Sequence, residues 1–208
     1  MIRTFIAYDD NDVELGDYFE SSHNDIQAVI AANGNISNVS IQGLDCTEVF
    51  INNTIKPLNG SRFVFIALSH GNEKELVSHE VYISSNNSTT FTNCLFYTCA
   101  CSTGNGLGDN LISAGCLTFI GYFDTVLVNV DYYQVFFTCQ NYCIKSFFSN
   151  DETIEVSFNK MINFYNSEID HLIVGTIDDV LAASSLIGNR DCLVIFGNTN
   201  VARTDFSF

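Results

Sequence analysis

The feature that most constrains the fold is a set of short, wholly apolar runs. Phe63–Leu68 (FVFIAL) is apolar at every position, which predicts a strand buried on both faces in the middle of an α/β sheet. Further strands are expected at Ile2–Tyr8 and at residues 37–44, 95–97, 117–122 and 192–196. Helical spacing between the early strands gives the order βαβα, which is typical of a parallel sheet with right-handed crossovers.

Helix signals lie between these strands. The first helix is expected to begin at Ser22 or Asn24, with Asp25 in its first turn, and to end before Gly34. Alternating residues between positions 76 and 91 predict a β-hairpin inserted after the third strand. Further helices are expected at residues 45–55, 107–114, 130–148, 154–165 and 176–186.

Composition and charge restrict the class of protein. With 208 residues, 47% of them hydrophobic, the chain can bury a full core, and we expect one domain over residues 1–208. The 24 acidic and 8 basic residues give a net charge of −16, which repels phosphate backbones and anionic bilayers. Neither nucleic acid nor a membrane surface is therefore an expected partner. No apolar run of about 18 residues predicts a membrane span, and the first residues resemble a strand rather than a signal peptide.

The chain contains 8 cysteines. A disulfide framework is typical of small secreted domains with poor cores, whereas this sequence predicts a large core and shows no export signal. Most of the cysteines fall within apolar strands or helices, where a free thiol behaves as a small hydrophobic group. We therefore expect free thiols and a cytoplasmic, reducing compartment.

One cysteine stands at a strand end. Cys101 follows the strand predicted at residues 95–97, where a glycine-rich turn begins, and His70 follows Phe63–Leu68. Catalytic groups collect outside the carboxyl ends of the strands in open α/β sheets. If these two strands are neighbours, the thiol and the imidazole lie within reach, because adjacent strands are about 4.8 Å apart. The pattern predicts a cysteine nucleophile and a histidine base, with the N–H groups of Gly71 and Cys101 as an oxyanion hole.

Other sites are less well supported by the spacing. Cys99, Cys101 and His70 suggest zinc, but no fourth ligand is spaced for it, and alternate strand residues point to opposite faces. The glycine-rich turn lacks the Lys and Ser or Thr of a phosphate-binding loop. An acidic cluster after the first strand suits a receiver-like module, which would need an Asp where His70 stands. That cluster comprises Asp9, Asp10 and Asp12.

Three motifs follow one another in the middle of the chain. Ser69, His70 and Gly71 end one predicted strand, residues 99–104 (CACSTG) end a later one, and residues 114–116 (AGC) precede another buried strand. This order resembles the caspase-related (clan CD) cysteine peptidases and is most similar to bacterial CHAT domains. Those domains carry His-Gly, then Ala-Cys-x-Thr-Gly, then Ala-Gly before the fifth strand; gingipains, separase and metacaspases are related to them.

The resemblance implies a fold and a set of site residues. The implied fold is a caspase-like three-layer α/β/α sandwich with a mostly parallel central sheet and a small β-hairpin insertion after the third strand. Cys101 is the implied nucleophile and His70 the general acid and base. Asp25, which with the preceding Asn resembles part of the basic-residue pocket of metacaspases, and Asp124, at a position that is often Trp in CHAT domains, are candidate substrate-binding residues. The alternative for Asp25 is a structural acidic residue at a helix start. Cys99 stands where metacaspases carry an acidic residue.

The implied function is peptide-bond hydrolysis in a protein or peptide substrate, without a metal or cofactor. The resemblance also implies regulated proteolysis, as in bacterial defence or cell-death modules, with a separate activator protein as a second partner. A catalytically silent caspase-like scaffold that binds a partner protein is the alternative function.

Overall fold

A computed structural model describes residues 1–58 and 60–207 of the chain. The expected domain, residues 1–208, also includes Asn59 and Phe208, which lie outside the described residues. The strands are β1 (Ile2–Tyr8), β2 (Ile36–Gln42), β3 (Phe63–Leu68), β4 (His70–Gly71), β5 (Glu75–Val77), β6 (Val81–Ser84), β7 (Cys94–Thr98), β8 (Thr118–Tyr122) and β9 (Leu193–Gly197). The helices are α1 (Gly16–Ala31), α2 (Glu48–Ile55), α3 (Leu107–Ser113), α4 (Tyr133–Ser149), α5 (Ile154–Leu172) and α6 (Ile177–Asp191).

The main sheet has six strands in the order β2-β1-β3-β7-β8-β9. All neighbouring pairs are parallel except β8 with β9, which is antiparallel. The wholly apolar β3 lies between β1 and β7, and none of its residues is more than 1% exposed. The prediction of a central, doubly covered strand is therefore confirmed, and both β1 and β3 have the bounds that the apolar runs predicted.

Helices cover both faces of this sheet. Neighbouring residues of a strand point to opposite faces, so Ile66 belongs to one core and Phe65 to the other. The core on the first face includes buried residues of α1, α4, α5 and α6, and the core on the second includes buried residues of α2, α3, β5 and β6. The three-layer α/β/α sandwich with a mostly parallel sheet is thus confirmed. In the described part of the chain, no helix combines the length and the apolar character that crossing a membrane requires.

A second, three-stranded antiparallel sheet follows β3 in the chain, in the order β4-β5-β6. The predicted hairpin is found as β5 and β6. The added strand, β4, consists of His70 and Gly71 and extends the chain directly from the end of β3. The insertion therefore holds the first of the predicted catalytic residues at the edge of the main sheet.

The predicted start of the first helix is wrong. α1 begins at Gly16 rather than at Ser22 or Asn24, so Asp25 lies in its second half and not in its first turn. A Cβ atom at Gly16 would lie 2.7 Å from the Asp10 carbonyl oxygen, so only glycine allows this close approach. Ser22 does not cap the helix, because it lies inside α1 and its hydroxyl donates to Asn141 of α4.

Candidate active site

The two predicted catalytic residues lie at the carboxyl edge of the main sheet. β3 and β7 are parallel neighbours, with Ala67 paired to Thr98. His70 and Cys101 each lie three residues beyond this pair. Both side chains line one cavity of about 240 Å³, which we call the site cavity. The structure therefore brings the imidazole and the thiol to a common space.

The turn after β7 fixes the position of Cys101. Ser102 has a left-handed backbone with φ of 58°, a conformation that is uncommon outside glycine, and its N–H donates to the Asp124 carbonyl at 3.0 Å. The Cys101 sulfur accepts the Val126 N–H at 3.2 Å. The loop after β8 thus holds the turn from one side and stabilises electron density on the sulfur.

Cys101 differs from the other thiols of the chain. All eight cysteines are free, and Cys101 is the one that is not fully buried. Cys99, two residues earlier, packs in the core of the first face, where burial, and to a smaller extent the nearby Cys101, raises the pKa of its thiol to about 12. Such a thiol stays protonated at neutral pH, so Cys101 is the better candidate for a nucleophile.

Asp12 holds the imidazole of His70. The distance from His70 Nε2 to Asp12 Oδ2 is 3.2 Å, and the ring of Phe19 packs edge-on against the imidazole. The other Asp12 oxygen accepts the N–H groups of Glu14 and Leu15 at 2.9 and 2.6 Å. Partial burial raises the pKa of Asp12, but these two N–H groups and His70 outweigh it, so the pKa is lowered overall. Asp12 is therefore a stable anion beside the imidazole.

Sequence reasoning did not connect Asp12 with His70. It considered Asp12 only within the acidic cluster after β1. The signal that was available is positional: the loop after β1 lies at the same sheet edge as the end of β3, because β1 and β3 are parallel neighbours.

The N–H of Gly71 points away from the neighbouring strand. The Asn72 N–H donates to the Glu75 carbonyl at 2.9 Å, which makes these residues a hydrogen-bonded pair of the antiparallel ladder. Hydrogen-bonded and non-hydrogen-bonded pairs alternate, so the N–H of Gly71, which is paired with Leu76, points away from β5. A Cβ atom at Gly71 would lie 2.9 Å from the Ala100 Cβ, so glycine also permits close contact with the residue before Cys101.

The two candidate substrate-binding residues lie outside the site cavity. Asp25 pairs with Lys145 of α4 at 2.5 Å and accepts from Asn141 at 3.0 Å, which links α1 to α4. Asp124 accepts the Thr125 N–H through its own carboxylate and lines a neighbouring cavity of about 470 Å³ beside α6. His70 and Cys101 are brought together, whereas neither aspartate shares their cavity.

The zinc alternative concerns the same residues. Over residues 1–58 and 60–207, no group of three or more His, Cys, Asp or Glu side chains is placed to hold a metal ion. This holds for Cys99, Cys101 and His70, the residues of the zinc alternative.

Comparison with known proteins rests on structure. No protein-family model matches the sequence, and no curated protein matches it. Gingipain R, an Arg-specific cysteine proteinase, has a similar structure, with a TM-score of 0.66 at 12% identity over 96% of this chain and 47% of that chain. An inactive zymogen of a C11 protease from Parabacteroides distasonis aligns with a TM-score of 0.46 at 12% identity, over 86% of this chain and 68% of that chain.

This chain therefore spans about half the length of the gingipain chain that it matches. At this identity the similarity to gingipain R concerns the fold, and with the six-stranded, mostly parallel sheet and its two helical layers it shows that the chain has a caspase-like α/β fold.

Proposed function

We propose that the chain is a cysteine endopeptidase that hydrolyses a peptide bond of a partner protein through an acyl-enzyme on Cys101. The observation that supports this most directly is the shared cavity of His70 and Cys101 at the ends of two neighbouring parallel strands. Because Asp12 binds Nε2 of His70, the other ring nitrogen is left for the thiol. The caspase-like fold and its similarity to a cysteine proteinase, gingipain R, agree with this reaction.

In the proposed reaction, His70 takes the thiol proton while the Cys101 sulfur attacks the substrate carbonyl carbon. The oxyanion that forms accepts hydrogen bonds from the N–H groups of Gly71 and Cys101. His70 then gives its proton to the leaving amine, the C–N bond breaks, and a thioester remains. A water molecule, deprotonated by His70, hydrolyses the thioester and frees the thiol. Throughout, the Asp12 carboxylate orients the imidazole and stabilises its protonated form.

The resemblance of the sequence to CHAT domains extends this proposal to the pathway. We place the reaction in regulated proteolysis, of the defence or cell-death kind, in the cytoplasm. A separate activator protein then controls access to the substrate, and no cofactor takes part. Asp25 and Asp124 do not line the site cavity, so this proposal gives them no contact with the residue whose carbonyl is attacked.

Cleavage of a peptide library by the wild-type chain, with Cys101→Ala and Cys99→Ala as matched variants, tests the proposal. We expect cleavage by the wild type and by Cys99→Ala, and none by Cys101→Ala. A peptide with a chloromethyl ketone terminus should add one covalent group to Cys101, measured by mass spectrometry of the digested protein. The scaffold alternative predicts binding of a partner protein with neither cleavage nor modification of Cys101, and cleavage retained in Cys101→Ala would contradict the proposed mechanism.

A further inference from the structure

The site cavity contains a buried amide with an unused donor. Gln140 of α4 contributes to the cavity wall and is only 1% exposed. Its Oε1 accepts the hydroxyl proton of Tyr18, at 2.6 Å, whereas its Nε2 is buried and has no hydrogen-bond partner within residues 1–58 and 60–207. Most buried polar atoms of proteins are paired, so an unpaired donor beside a cavity is a candidate for ligand recognition.

The orientation of this amide follows from its neighbours. Tyr18 is 1% exposed, and burial keeps the pKa of its hydroxyl well above the usual value, so the hydroxyl keeps its proton and needs an acceptor. Gln140 Oε1 is that acceptor, which leaves Nε2 as the free group. The Tyr97 hydroxyl also donates to the Gln140 backbone carbonyl at 2.5 Å and so ties this turn of α4 to β7. The donor is therefore held by rigid elements.

The rest of the wall excludes ionic recognition. Apolar side chains form much of the cavity surface, among them Leu15, Phe19, Val126 and Val128. No Asp, Glu, Lys or Arg of the described residues lines it. A charged side chain inside the cavity would lose its hydration without gaining a counter-charge, which is costly. An uncharged side chain that ends in a hydrogen-bond acceptor fits both the apolar wall and the free N–H.

We infer that the site cavity receives the substrate side chain next to the attacked carbonyl, and that Gln140, held by Tyr18, selects glutamine or asparagine there. This inference rests on the proposed function, because it assigns the specificity of the same site. The carbonyl oxygen of the substrate's side-chain amide accepts a hydrogen bond from Gln140 Nε2.

Peptide substrates that differ only in the residue before the cleaved bond test this assignment. We expect kcat/KM of the wild type to be at least about tenfold higher for Gln or Asn than for Leu, Lys, Arg or Glu, which corresponds to one good hydrogen bond in the transition state. Gln140→Leu should remove the difference between Gln and Leu. In Gln140→Glu, one oxygen still accepts from Tyr18 and the other becomes an acceptor in the cavity, so the preference should move to Lys and Arg.

Gln134→Glu is the matched control, because it makes the same change at an exposed position of α4. If Gln140→Leu does not fold, Gln140→Glu answers the question, since it keeps the shape of the side chain. A wild-type preference for charged or apolar residues, or an unchanged order of preference in folded Gln140→Glu, overturns the inference and leaves the peptidase assignment intact. Absence of cleavage of every substrate, together with absence of Cys101 modification, overturns both.

Discussion

The end of β7 and the turn that follows it place two thiols in opposite surroundings. Cys99 is packed among apolar side chains, where burial keeps its pKa near 12, and its sulfur is 4.0 Å from the Ala67 carbonyl oxygen. Both residues contribute to the wall of the site cavity, but Cys101, two residues on, is the more exposed, and its sulfur accepts an N–H from Val126. The same side chain is thus a core residue at one position and a candidate nucleophile at the other.

Alkylation rates give the largest expected difference between these thiols. With a pKa near 12, only about one in 10⁴ Cys99 side chains is a thiolate at pH 8, and burial also restricts the access of the reagent. We expect iodoacetamide to modify Cys101 at least about 10³-fold faster than Cys99 in the folded protein. Peptide mass mapping over a time course measures both rates. Equal rates in urea are expected, because both thiols are then exposed. Equal rates in the folded protein would remove the distinction between the two positions.

The imidazole at the neighbouring strand end should give the next largest effect. We expect His70→Ala to lower kcat about 10²- to 10⁴-fold, because general acid and base catalysis contributes about that much to hydrolysis. His79, which is exposed in the turn between β5 and β6, provides the control variant His79→Ala. Steady-state cleavage of the preferred peptide measures both. A His70→Ala variant with wild-type kcat would restrict the site to Cys101 and reject the dyad.

Asp12 should have a smaller effect, because it acts through His70. We expect Asp12→Asn to lower kcat about 10- to 100-fold with little change in KM. This factor corresponds to the free energy of one hydrogen bond to a charged group. Asp17→Asn, at an exposed position in the first turn of α1, is the control. A change in KM alone would indicate that Asp12 affects substrate binding instead.

Acid stability provides a second measurement on Asp12. The folded protein holds the pKa of this carboxyl below its ordinary value. Its charge therefore stabilises the fold above the ordinary pKa, and this contribution is lost as the pH falls through the lower, folded value. Urea unfolding should accordingly show a larger gap between wild type and Asp12→Asn at pH 7 than at pH 3. A gap that does not depend on pH would contradict the assigned charge.

Local patterns were sufficient to predict the sheet and the placement of His70 and Cys101 at one edge of it. β1 and β3 were predicted to the residue from short runs rich in apolar residues, and parallel neighbours necessarily bring their carboxyl ends together. The roles proposed for Asp12 and Gln140 depend on packing between distant parts of the chain. Gln140 is one polar residue in an aromatic-rich helix, and its significance comes from Tyr18, which is distant in sequence.

α1 begins earlier in the chain than its local cap signals predict. Ser22 and Asn24 have the composition of a cap, but α1 continues through them because their neighbours Tyr18 and Ile26 are buried against the sheet. Tertiary burial outweighs a local cap preference of about 1 kcal/mol. Asp25 therefore lies at the interface with α4 and not in the first turn of the helix, where it was predicted.

Asp25 should have the smallest effect on catalysis. Its carboxylate joins Lys145 and Asn141, and the Asp25 and Lys145 side chains are 20% and 24% exposed, so we expect Asp25→Asn to cost about 1 kcal/mol of stability with unchanged kcat/KM. Urea unfolding of Asp25→Asn, Lys145→Met and the double variant measures the coupling between the two side chains. Because each single variant removes the same ion pair, the double variant should lose less than the sum of the two losses. A specific loss of cleavage before basic residues in Asp25→Asn would instead support the substrate-binding role that the sequence suggested, and would extend substrate recognition beyond the site cavity to the interface between α1 and α4.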